Sequence, residues 1–98
     1  MYVVALHEVQ DQETAFERGA RLETGEGAPE GVRVLQFLPA TDGTKVVCLW
    51  EAGSVQDVQG YADEVLGDSS INSCYEVAQE PAFAERPIGL ATTPLALR

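Results

Sequence analysis

The hydrophobic pattern of this chain is clearest between Thr44 and Leu66, where a strand, a tight corner and a helix follow one another. Val46-Val-Cys-Leu-Trp50 is an unbroken apolar run of strand-forming residues, the composition of a strand buried on both faces. Gly53 turns the chain, Ser54 stands at a helix N-cap, and Asp57 follows where a carboxylate meets free N–H groups and the positive end of the helix dipole. Val55, Val58, Ala62, Val65 and Leu66 then recur at helical spacing, leaving Gln56, Gln59 and Asp63 on the other face.

The rest of the chain can be read the same way. Tyr2 to Val9 is a strand with no plainly polar face, Tyr2, Val4 and Leu6 lining one side and Val3, Ala5 and Val9 the other. Asp11 caps a helix from Gln12 to about Leu22, with a thin apolar stripe of Ala15, Phe16, Gly19, Ala20 and Leu22; Gly19 is expected to permit close approach to the sheet. Glu23 to Gly31, with three glycines and a proline, is a loop. Val32 to Leu38 is a second strand, ended by Pro39, and Thr41-Asp42-Gly43-Thr44 is the turn of a hairpin into the Val46–Trp50 strand. Gly67 ends the second helix, and Ile71 to Val77 is the fourth strand.

The order β-α-β-β-α-β predicts an α+β, ferredoxin-like fold over residues 1–78: an antiparallel sheet in the order 4-1-3-2 with both helices on one face. Residues 79–98 form an extended C-terminal tail, broken by Pro81, Pro87 and Pro94 yet apolar at Phe83, Ile88, Leu90, Leu95 and Leu97, so it should lie on something. Helices cover only one sheet face, and strands one and three are apolar on both. The second face therefore needs a cover, either the matching face of another copy across a two-fold axis or the tail itself.

Composition narrows the partners. Sixteen acidic residues against six basic ones give a formal charge of −10, which repels phosphate backbones and anionic lipid surfaces, so neither nucleic acid nor membrane is expected to bind. No apolar run approaches the roughly 18 residues of a membrane span, and Tyr2 to Val9 lacks the basic start of a signal peptide, so a cytoplasmic location is expected. The acidic residues of the first third read as a solvated helix face and loop. Ninety-eight residues make one domain that buries roughly two-thirds of its unfolded surface. Cys48 and Cys74 fall on strands separated by a third, about 9 to 10 Å apart and beyond disulfide reach.

In its element order, two-sided strands and length, the chain resembles the dimeric α/β barrel superfamily, in which two ferredoxin-like protomers pack sheet to sheet. Cys48-Leu-Trp-Glu-Ala, the Ser54-capped helix and the Ile71–Val77 strand are together similar to a family of small uncharacterised ferredoxin-like proteins associated with nickel binding. That resemblance implies nickel as a cofactor. The family's histidine in the second helix is matched here by the stretch Gly60-Tyr61-Ala62, which carries tyrosine.

Candidate chemistry is sparse. His7, the one histidine, is able to serve as a general base, with Gln36, Lys45, Val46 and Asn72 expected around it and no carboxylate closer than the oppositely directed Glu8. Glu51 and Glu76 end strands three and four, at the edge opposite His7 and next to Tyr2, where two carboxylates can share a proton or hold a cation, although solvated strand ends are commoner. Within one chain, no zinc or nickel spacing, phosphate loop or nucleophile elbow is present. Trp50, Tyr61, Tyr75 and Phe37 are of a kind that fills cores and also lines pockets. A ligand between sheet and helices would meet His7, Gln36, Cys48, Trp50, Tyr61 and Tyr75, although strand parity forbids all six from facing one side. The expected protein is a homodimer that binds a small apolar molecule or an ion. The alternatives are a cofactor-free monooxygenase- or cyclase-like enzyme with His7 as base, as the superfamily resemblance implies, and a structural dimerisation module.

Overall fold

The computed structural model describes residues 1–98. Strands β1 (Tyr2–Val9), β2 (Arg33–Pro39), β3 (Lys45–Glu51) and β4 (Ser70–Glu76) form one antiparallel sheet in the order β2-β3-β1-β4, with helices α1 (Gln12–Thr24) and α2 (Val55–Leu66) after the first and third strands. This is the ferredoxin-like arrangement expected from the element order.

The local signals act as their chemistry requires. Asp11 and Ser54 cap the two helices by accepting from the Thr14 and Asp57 amides, both at 3.1 Å. Gly67 ends α2 at a positive φ of 55°, its N–H donating to the Asp63 carbonyl, while Arg18 donates to the Leu66 carbonyl at 3.0 Å. In the β2–β3 turn Gly43 also has positive φ, and Asp42 accepts from both the Thr44 amide and hydroxyl.

The core lies between sheet and helices. Val3, Ala5, Cys48 and Trp50 from the central strands meet Val58, Tyr61, Val65 and Leu66 of α2, with Leu22 the one buried residue of α1. Two expectations about α1 are corrected. Phe16 is largely exposed, and a Cβ built on Gly19 meets nothing within 4 Å, so that glycine serves no close packing.

Register assigns every strand residue to a face. Val3, Ala5, His7, Val46, Cys48 and Trp50 lie on the helix side, and Tyr2, Val4, Leu6, Glu8, Lys45, Val47, Leu49 and Glu51 on the open side. In β2 the register shifts between Val34 and Gln36, a bulge at Leu35 that reverses the parity of the later strand residues. Val34 stays with Trp50 on the helix side, whereas Gln36 pairs with Leu49 and Leu38 with Val47 on the open side.

No part of the chain covers the open face. The tail's last turn, Leu95–Leu97, lies against α1 on the other side of the sheet, while Phe83 and Ile88 are almost wholly exposed. The expectation that the tail rests on something is met only at that last turn, and against α1 instead of the open face.

Candidate functional site

Two rows of side chains cross the centre of the open face, Gln36–Leu49–Val4–Tyr75 and Leu38–Val47–Leu6–Ser73. Charged rows flank them: Arg33–Glu51–Tyr2, with Arg33 Nε 3.1 Å from Glu51 Oε1, and Lys45–Glu8–Ile71. Leu6 is 42% exposed, Val47 38%, Tyr75 52% and Ile71 56%. An apolar centre between polar rims is the anatomy of an association surface.

A depression of about 370 Å³ lies towards one end of this face. Leu6, Val47 and Ser73 line it from one row, Glu8, Lys45 and Ile71 from the next, and the paired residues His7 and Val46 lie between them. It therefore offers an apolar wall, one hydroxyl and one charge of each sign.

The imidazole of His7 is on the opposite, helix-facing side. Its Nδ1 lies 2.6 Å from Asn72 Oδ1, Asn72 Nδ2 donates to Asp63 Oδ1 at 2.9 Å, and the Ser70 hydroxyl donates to Asn72 Oδ1 at 2.8 Å. Because the Asn72 amide faces a carboxylate, its oxygen must accept from His7, so the neutral imidazole carries its proton on Nδ1 and leaves Nε2 bare. Nε2 is buried and has no partner. Burial pushes the His7 pKa down, against an opposing rise from the Asn72 hydrogen bond and the Asp63 charge. Asp63, carried by α2, is the orienting carboxylate that sequence reasoning missed; its place on the polar side of α2, level with the start of β4, was the available signal.

Gln36 is not beside His7 as expected. The bulge at Leu35 turns it to the open face, opposite Leu49. Glu51 and Glu76 do not form a pair either, because Glu51 shares the open face with Tyr2, and Glu76, opposite Val3, belongs to the helix side.

The remaining candidates divide between the two sides. Trp50 and Tyr61 pack edge to face in the core, centroids 6.1 Å apart, with Trp50 Nε1 buried and unpartnered. The Tyr61 hydroxyl is engaged by backbone carbonyls, 2.6 Å from Glu26 O in the loop after α1 and 3.0 Å from Arg21 O in its last turn, and burial raises its pKa. Cys48 and Cys74 both sit opposite Ala5 with β1 between them and are free thiols; burial pushes them up to about 12 and about 11 respectively. Tyr75 lies with Gln36 on the open face. The structure thus gathers His7, Cys48, Trp50 and Tyr61 on the helix side; of the six candidates only His7 is among the residues at the depression, with its imidazole directed to the helix side. Leu6, Val47, Ile71 and Ser73, which do line it, were legible only as parity along their strands.

These residues do not fit a nickel site. Tyr61 replaces the helical histidine and is tied to carbonyls, His7 Nδ1 is held by Asn72, and no three His, Cys, Asp or Glu side chains gather in space. No helix is long and apolar enough to cross a membrane.

The sheet, its two helices and the uncovered apolar face define a ferredoxin-like α+β protein. It belongs to the family described as Domain of unknown function (DUF3303), whose model matches residues 1–64, from β1 through most of α2. Strand β4 and the tail lie beyond the matched residues. No curated protein and no solved structure matches the chain.

Proposed function

We propose that the protein works as a homodimer of the dimeric α/β barrel kind, two copies packing open face to open face, and that it binds a small, mostly apolar molecule in the depression thereby enclosed. The observation that carries this is the pair of apolar rows at the centre of a face nothing covers. Four strands about 4.8 Å apart and seven residues long offer on the order of 450 Å² in projection per copy, and more in accessible area. Doubled, this approaches the smaller specific interfaces. Each charged row carries both signs, so a two-fold axis can set Lys45 and Arg33 of one copy against carboxylates of the other.

The ligand class is set by the lining. Leu6, Val47 and Ile71 favour an apolar body of up to about ten heavy atoms, and Ser73, Lys45 and Glu8 leave room for one polar group. Titration with 2-naphthol, followed by NMR, is the test. Shifts confined to Leu6, Val47, Ile71 and Ser73, and abolished by Ser73→Leu in a chain that still dimerises, are expected. Shifts scattered over the surface, or unchanged by the filled depression, would remove the binding reading.

The His7–Asn72–Asp63 relay favours a second reading, a cofactor-free enzyme with His7 Nε2 as base. It requires substrate to enter between α2 and the sheet. Turnover lost on His7→Ala with folding retained would support it, and turnover unchanged would end it.

A further inference from the structure

Gln59 stands on α2 over the outer edge of β4. Its Nε2 donates to the Asn72 carbonyl at 2.8 Å, and its Oε1 accepts from the Cys74 amide at 3.1 Å. A residue in a parallel neighbouring strand makes this same pair of bonds, one to the carbonyl before and one from the amide after its opposite number. The Gln59 side chain therefore occupies the hydrogen-bonding positions of a fifth strand.

It is also held there. Nε2 donates to both Asp63 oxygens, at 3.2 and 3.1 Å, and Asp63 Oδ1 accepts from Asn72 Nδ2, whose amide is fixed in turn by His7. The other edge, β2, is blunted differently, by the bulge at Leu35 and by Pro39, which has no N–H to offer. A free, flat edge of β4 would otherwise be the place where a second copy adds strand to strand.

We infer that Gln59 is an edge guard: it closes β4 to antiparallel pairing with the β4 of a second copy, and so confines self-association to the open face. The choice of partner rests on the self-association proposed above, whereas the guarding contact stands on its own geometry.

The test compares the full-length chain with Gln59→Met, a side chain of similar length with neither amide donor nor amide acceptor, and with Gln59→Thr in case the first variant fails to fold. Cys74 amide exchange is read by NMR and mass by sedimentation. In the unmodified chain the Cys74 amide exchanges slowly despite its place on the sheet's rim. In the variants it exchanges roughly five- to tenfold faster at low concentration. At millimolar concentration they form assemblies larger than the parent's, in which Cys74 is protected again. Rapid Cys74 exchange in the unmodified chain overturns the inference, as does faster exchange in the variants without any larger assembly. The parent's own mass reports separately on the open face, so failure of the dimer and failure of the guard are distinguishable.

Discussion

Leu6→Glu places a carboxylate at the centre of the open face, where the proposed two-fold axis brings two copies together. Leu6 is 42% exposed in the protomer, and it shares its row with Leu38 and Val47. Fully burying a leucine is worth about 1.5 to 3 kcal/mol, so covering this remaining fraction is worth about 0.6 to 1.3 kcal/mol per copy and about twice that per dimer. Leu6→Ala should therefore weaken dimerisation by roughly ten- to seventyfold. Leu6→Glu adds the desolvation of two carboxylates, several kcal/mol even after relaxation, and should weaken it by more than about a thousandfold. The protomer itself should change by only about 1 kcal/mol, because the position already faces water there. Light scattering across a dilution series gives the dissociation constants, and thermal melting by circular dichroism monitors the fold. Equal association in parent, Leu6→Ala and Leu6→Glu, with all three folded, would refute the reasoning.

Other parts of the molecule give three further expected outcomes. Gly19→Ala and Gly60→Ala should each stabilise by about 0.5 to 1 kcal/mol, since both are helical and a Cβ meets nothing within 4 Å; Gly67→Ala should destabilise by about 1 to 2 kcal/mol, as φ is +55° and the Cβ would come within 2.9 Å of Arg18 Nη1. Chemical denaturation measures all three. Because the folded His7 pKa lies below its ordinary 6.5, the native state binds fewer protons than the unfolded one; the stability this gives is present above pH 6.5 and is lost as pH falls through the folded value. His7→Gln should flatten the stability profile in that window only, and an unchanged slope would contradict the assignment. Neither thiol, Cys48 buried and Cys74 half-buried with both held above their ordinary pKa, should react with an aromatic disulfide at pH 8 until the chain is unfolded, when both should.

The fold was legible because strong local signals agreed with one another: Asp11 and Ser54 as caps, Gly67 as a stop, Asp42-Gly43 as a turn, and a strand that is apolar throughout at Val46–Trp50. The two-faced apolarity of β1 and β3 was legible too, and it marks the open face. The bulge at Leu35 was not, since Val-Leu-Gln-Phe-Leu holds no glycine to announce a change of parity, and so Gln36 was assigned to the wrong side. The link from His7 through Asn72 to Asp63 was hidden for another reason: it joins three elements whose relative height depends on how α2 sits on the sheet. The apolar composition of the tail showed that it could pack but not where: only Leu95–Leu97 meets the protomer, at α1, while Phe83 and Ile88 stay exposed.

Self-association through the open face is tested most directly by sedimentation equilibrium of the unmodified chain at micromolar concentration. A mass twice the 10.5 kDa of the chain is the expected result. A single, well-behaved 10.5 kDa species over the whole concentration range, with Leu6 and Val47 accessible to solvent, would contradict it.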